Sequence, residues 1–519
     1  MCYNEITKTN QYLHKGEYLC IQIISFICRS VNNKAATQTN DFTRFHLIEK
    51  VLDDFRNLFH RKATYQWFVI LVIGFMVRYD HLGVTSVIRA LSLDGNCYET
   101  MLHFFRSKAY QLSAIRQRWC EVVRGSGLLY QVDGKTVLIG DGVKQSKEAY
   151  HMPGVKKLHQ DSEDSSKGEY IFGHLFGAVG AVISKSNRFF CIPLKINIQD
   201  GLQSAAGWEG STVSTESHVV QMIENGYEAA KTFGKSIFLL DRYFLTVPAL
   251  RKLNQLNAGT KGKRLELVTK AKRNCIAYEE PVAEPIKKRG RPKKKGDTVY
   301  LWKQFTEDPD SFPEAFVSIY GRNQSVRYKC MDLLYKCMDL LWGQKLYQKL
   351  RFVLVEYDGQ RSILVSTDLT PTAVQIIELY SRRFCIENCF REMKQQTGAF
   401  CYHFWTKTLE KLNHFKKKEA PDALQKVTDL KAQRKIIEKV QSIEVFVQIS
   451  CIAFGILQLL AVQEATEGDL STLFYTRTKS KSRVSEARVR WYMGWQINHL
   501  LLQHPDSFIT KFIRERQMK

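Results

Sequence analysis

The sequence predicts an α/β fold: a mixed β-sheet flanked by helices and interrupted by a β-rich insertion, behind an N-terminal helical domain. Three observations predict it. Residues 41–125 carry helix-length amphipathic runs, residues 127–256 carry short apolar strands that give way to strand–helix alternation, and a hairpin pattern at 351–369 runs straight into a helix. The 519 residues then divide into 1–126 (helical), 127–256 (first part of the sheet), 257–350 (insertion), 351–462 (second part) and 463–519 (helical).

The helical region reads as "FTRFHLIEKVLDDFRNLFHR", "ATYQWFVILVIGFMVRY", "LGVTSVIRAL" and "CYETMLHFFRSKAYQLSAIRQRWCEVV", joined by short polar links such as "SLDGN". "GVTSVIRALSL" suits either a recognition helix or an ordinary bundle helix. "KTVLIGDGV", "YIFGHLFGAVGAVI" and "FFCIPLKINI" are β-rich, with Asp133-Gly134 as a hairpin tip ahead of them. A helix follows over "STESHVVQMIENGYEAAKTFG", with Ser214 as candidate N-cap and Gly234 as its stop. "SIFLLD" reads as a buried parallel strand and "LTVPALRKLNQLNAG" as another helix.

Within the insertion, "YKCMDLLYKCMDLL" (328–341) is a tandem repeat of seven residues. Seven is odd, so one strand through both copies would reverse its faces; one copy is expected to loop out or coil. "RFVLVEYDGQRSILVSTDL" is a hairpin with Asp358-Gly359 as its turn, and the next helix takes Thr370 as N-cap with Pro371 at its first position. "KTLEKLNHFKKKEAPDALQKVTDLKAQRKIIEKV" (407–440) reads as exposed basic helices.

Lys and Arg total 76 against 52 Asp and Glu, a net charge of +24. That surplus calls for a polyanionic partner, nucleic acid or an anionic surface. "WFVILVIGFMV" and "FVQISCIAFGILQLLAV" fall short of the ~20 apolar residues of a membrane span and read as buried core helices. The N-terminus lacks the layout of a signal peptide. Thirteen cysteines without a C-x2-C pair support neither a disulfide framework nor a zinc finger, and a reducing cytoplasm is expected.

"YSRRFCIENCFREMKQQTG" (380–398) carries the chemistry. At about 100° per residue one helix places Tyr380, Arg383, Glu387, Arg391 and Lys394 on one face and Cys385, Ile386, Cys389, Phe390 and Met393 on the other. Read alone, the polar face is either a solvated surface laced by Arg383–Glu387 and Glu387–Arg391 pairs or a surface for a polyanion. Two further acids close apolar strands, Asp141 after "TVLIG" and Asp241 after "SIFLL". Each alone is as well explained by a turn or cap; joined to Glu387 they make an oxygen-rich set suited to Mg²⁺ or Mn²⁺.

These blocks resemble the DDE transposases of insertion sequences, the branch marked by Y-x2-R-x3-E-x6-K. Tyr380, Arg383, Glu387 and Lys394 meet that signature, and "LIGDGV" and "LLDRYF" are similar to the two Asp blocks, in the right order. The resemblance spans roughly 40 to 462. It implies a ribonuclease H-like mixed sheet interrupted by a β-rich insertion, with an N-terminal DNA-binding domain. It further implies a catalytic, metal-binding triad of Asp141, Asp241 and Glu387 holding two Mg²⁺ (or Mn²⁺), with Tyr380, Arg383 and Lys394 on DNA phosphates. Double-stranded DNA, as terminal inverted repeats and target, would be the partner, with a homodimer on paired ends in the cytoplasm. The alternatives are an impaired DNA-binding repressor of the same fold and a structure-specific nuclease without strand transfer.

Three weaker signals remain. Arg289 and Arg291, in "RGRP", resemble an AT-hook core or belong to a solvated basic loop. Trp302 is either a wedge for a flipped base or a packed side chain. Arg391 adds a cation beside the signature. His151, His159 and His174 are expected to be structural or DNA-contacting.

Overall fold

A computed structural model of the chain describes residues 43–160, 168–260, 262–282, 293–320, 328–357, 359–412, 422–463 and 484–518. Five helices open it: α1 (43–53), α2 (Lys62–Val77), α3 (Thr85–Leu91), α4 (Cys97–Phe105) and α5 (Leu112–Gly125). A run of strands follows: β1 (Gln131–Val132), β2 (Lys135–Ser146), β3 (Lys156–His159), β4 (Tyr170–Lys185) and β5 (Arg188–Ile198). Alternation then sets in with α6 (His218–Phe233), β6 (Ser236–Leu239), α7 (Val247–Ala258) and β7 (Leu265–Lys270).

An antiparallel extension holds β8 (Ile276–Tyr278), β9 (Thr298–Tyr300), α8 (Gln304–Glu307), β10 (Glu314–Tyr320) and β11 (Tyr328–Trp342). The chain returns through the hairpin β12 (Gln348–Tyr357) and β13 (Gln360–Ser366) into α9 (Ala373–Ser381) and α10 (Cys385–Glu392). It closes with α11 (Leu430–Gln463), α12 (Glu486–Gln503) and α13 (Phe508–Arg514).

The fold is mixed α/β, a single thirteen-stranded sheet flanked by helices, with the path β3-β4-β2-β6-β7-β13-β12-β11-β8-β9. Strands β2, β6 and β7 run parallel; β4 lies antiparallel to β2, and β13 to β7. The interior strands earn their place by composition: β6 is buried at all four positions and β7 at five of six. Helix α6 packs on β2 and β4, and α11 on β5 and β4. Between β2, β6 and α6, the Phe238 ring fills the space where a Cβ on Gly140 would stand 2.4 Å from it, so only glycine fits there.

Helix α2 is buried at every residue from Tyr65 to Val77 because it is wrapped by α11, α12 and α13, so segments distant in sequence share one core. The apolar half of α11 passes the length and hydropathy test for a membrane span, yet that window is 100% buried inside the protein.

Several expectations need correction. The tandem repeat neither loops out nor coils: β11 runs unbroken through both copies, its first half laddered to β10 and its second to β12. Two different neighbours satisfy the two halves, so backbone pairing outweighs the change of face. Helix α6 starts from Ser217, whose side chain caps Val220; Ser214 instead closes a turn onto Glu216. Helix α9 starts from Thr372, which forms a capping box with Gln375, while Thr370 bonds Asp368. Of 407–440, residues 413–421 lie outside the described residues; the described part holds a 3-10 turn at Ala423–Lys426 and becomes continuously helical at Leu430, as the start of α11.

Candidate active site

Strands β2 and β6 pair in parallel up to Ile139 and Leu239, so Asp141 and Asp241 each stand two residues further along neighbouring strands, at one level of the sheet. Asp141 does not end its strand, as the sequence suggested. β2 continues to Ser146, because β4 supplies a partner for every residue from Leu138 onward. Asp241 lies two residues past the end of β6, its carbonyl accepting from the Thr269 hydroxyl of β7 at 3.0 Å.

The third acid arrives on the segment that leaves the sheet. Residues 380–398 are not one uniform helix: α9 tightens into a 3-10 turn at Arg382–Phe384, α10 follows, and a π-helical turn spans Met393–Thr397. Helix α10 buries Cys385, Ile386, Cys389 and Phe390, with Met393 behind them, as its apolar face required. The opposite face turns Arg383 and Glu387 outward from the core.

The π turn ends at Gly398, with φ +57°, where a Cβ would stand 2.7 Å from His81. Buried Arg78, one residue past α2, donates to the carbonyl oxygens of Thr397 and Gly398, and the His81 ring bonds that of Gln396. Burial lowers the Arg78 guanidinium to about 9, still charged near neutrality. The helical bundle thus closes the C-terminal end of the segment that carries Glu387. π turns of this kind recur at functional sites.

One guanidinium joins the acids. Arg383 donates to Asp141 at 3.2 Å and to Glu387, and its side chain is 15% exposed. Burial works against its charge, and the carboxylates of Asp141 and Glu387 more than offset that. Asp141 is pushed up to about 6, first by burial, with Asp241 and Glu387 adding to the rise against Arg383 and the Gly142 N–H. Burial likewise raises the Tyr380 hydroxyl, which lies in hydrogen-bond reach of Arg383 and feels both Asp141 and Asp241. Among the described residues the Asp241 carboxylate has no hydrogen-bond or ion-pair partner.

The acids are neighbours without forming a finished cage. Among the described residues no three His, Cys, Asp or Glu side chains stand close enough together to hold a metal ion. Arg383 sits between Asp141 and Glu387, bonded to both. The donor set itself suits a hard cation, since it consists of carboxylates, one raised in pKa and one unpartnered.

The remaining expected residues are scattered around this point. Arg391 does not pair with Glu387; it meets Glu392 at 3.2 Å on the exposed side. Lys394 is exposed in the π turn, its ammonium 5.9 Å from the Phe400 ring centre. Trp302 is half-buried in the extension between the Arg273 guanidinium and Phe305. Arg289 and Arg291 lie outside the described residues. His174 is fully buried, bonded to Tyr402 and Pro153 and lowered to about 4 by burial, so it is structural. His151 bonds the Leu409 carbonyl at 2.7 Å.

Sequence reasoning passed over His218. It opens α6 with its ring bonded to Gln199 and its Nε2 3.2 Å from where a Gly142 Cβ would be, next to Asp141. Burial lowers it to about 4, leaving a neutral ring. No local pattern announces it, because the contact depends on how α6 docks on β2. Exposed Tyr243, two residues after Asp241, stands 5.8 Å from that ring. In comparisons with known proteins the chain matches no family model, no curated sequence and no solved structure.

Proposed function

We propose that this protein is a DNA transposase that binds terminal inverted repeats, cleaves DNA ends and joins them to a target, on a ribonuclease H-like core. The observation that carries the reading is Arg383, bonded at once to Asp141 and Glu387 and beside Tyr380. Arg383 and Asp141, 242 residues apart in sequence, meet there. The two acids on adjacent parallel strands, and an extension inserted between the second Asp and the Glu, support the same core.

Asp141, Asp241 and Glu387 would hold two Mg²⁺ or Mn²⁺ ions, which when bound supply Lewis-acid stabilisation at phosphorus and a water of lowered pKa. Arg383 is the moving part. Its planar guanidinium leaves the carboxylates for a DNA phosphate, which it takes in the same two-pronged geometry. Tyr380 stays protonated and donates to a phosphate oxygen. Lys394 and Arg391 hold the neighbouring backbone, which positions the DNA without reading its sequence. Two copies, one on each DNA end, complete the assembly.

A DNA-binding protein of this fold without chemistry is the second reading, in which the Arg383 bonds to Asp141 and Glu387 are permanent structural pairs and wild type cleaves nothing. One assay separates the readings: labelled element ends, a target plasmid and Mg²⁺, with wild type, Asp141→Ala and Glu387→Ala. Cleaved and joined products lost in both variants support transposition. Cleavage without joining supports a nuclease, and cleavage that survives both substitutions removes the site.

A further inference from the structure

We propose that the N-terminal ends of β2, β6 and β7 form a second DNA surface, gripping duplex phosphates far from the three acids. Two adjoining cavities of about 610 and 270 Å³ open there and share Lys235, Lys263 and Arg264 in their walls. Arg124 and Lys231 line the first, and Lys135 lines the second. Among the described residues the only acid lining either is Glu266, already taken by Lys263 and Thr367.

Helix dipoles do not account for this cluster. Cations are favoured near helix C-termini, and Arg124 does serve one, donating to the Thr232 carbonyl of α6 at 3.1 Å. Lys235, Lys263 and Arg264 instead lie beyond the helix ends, at the start of strands. Among the described residues neither Lys235 nor Arg264 has a side-chain partner. Six cations line the concavity; Lys135, Lys231 and Lys263 are paired with Asp368, Glu228 and Glu266, and the surplus carried by Lys235, Arg264 and Arg124 fits a chain of phosphates. From Lys135 to Asp141 the strand covers roughly 20 Å, so a duplex seated here is a separate stretch from one at the acids. The surface stands whether or not the acids prove catalytic.

The test uses the full-length chain and a random-sequence 30-base-pair duplex. In wild type, acetylation of Lys231, Lys235 and Lys263 should fall severalfold when duplex is added, and not with inorganic phosphate at equal phosphate concentration. Lys235→Glu with Arg264→Glu should bind duplex at least about tenfold more weakly, with a shallower salt dependence, the log–log slope falling by about 1.8. Unprotected lysines, or unchanged affinity and slope in the folded double variant, would overturn the proposal. Protection by inorganic phosphate alone, or by anionic lipid vesicles but not by duplex, overturns it too. The footprint needs no variant, so a folding failure leaves the question decided.

Discussion

Midway along β2 and two residues past the end of β6 stand Asp141 and Asp241; at their N-terminal ends the same strands and β7 begin beside Lys135, Lys235 and Arg264. Between the two poles the strands are apolar and buried, through Ile139, Phe238 and Val268. Neither pole neutralises itself. At the acid pole one guanidinium serves two carboxylates and a third has none, so positive charge is short. At the basic pole negative charge is short. The two poles thus differ in the sign of the charge left over, a carboxylate at one and cations at the other.

The largest expected effect comes from deleting the unpartnered acid. Asp241→Asn should lower metal-dependent cleavage by a factor on the order of 10³, about 4 kcal/mol of barrier, while duplex protection of Lys235 persists. If both readouts fall together, the poles are not independent. Arg78→Met tests what holds the acid pole in shape. It strips donors from the carbonyls of Gly83, Thr397 and Gly398 and should cost about 3–5 kcal/mol in urea unfolding.

Asp141→Asn should do the reverse. The folded carboxyl titrates near 6 against a usual 3.8, so the native state keeps its proton longer than the unfolded chain. The ionised group thus weighs against the fold above about pH 6 and is harmless below about pH 4. Asn should stabilise by about 2–3 kcal/mol at pH 8, with the gain gone near pH 4. Mg²⁺ should raise the melting temperature of wild type and leave that of the variant unmoved.

A smaller loss, about 1–3 kcal/mol, is expected from Gly140→Ala, which drives a methyl into Phe238 and shifts Asp141 without removing an acid. Cleavage should fall in step, and unchanged cleavage would show that the strand tolerates the shift. The smallest effect belongs to Lys231→Gln, whose exposed pair with Glu228 is worth under about 0.5 kcal/mol.

The acid pole was largely legible in the sequence, because apolar runs closed by Asp mark strands and the 380–394 spacing keeps Tyr380, Arg383 and Glu387 together. What escaped was set from afar. The π turn at Met393–Thr397 depends on Arg78 and His81, more than 300 residues earlier. The capping box at Thr372 is written in the sequence, with Gln375 three residues on, and it sets the helix start in place of the Thr370-Pro371 pair. Face alternation alone does not decide the repeat in β11, because two different neighbours share the strand. The basic pole was invisible for another reason. Its cations come from four separate stretches, each ordinary alone, and only the parallel pairing gathers them.

The wrapping of α2 by α11, α12 and α13 has a consequence for biosynthesis. At 5–20 residues per second, roughly 20–80 s separate emergence of the first helix from the ribosome and emergence of its later partners. Thirteen successive apolar-rich positions, Tyr65 to Val77, would spend that interval uncovered. A nascent chain in that condition exposes a surface that chaperones cover, and messages cut short before α12 should yield insoluble product rather than a partly folded protein.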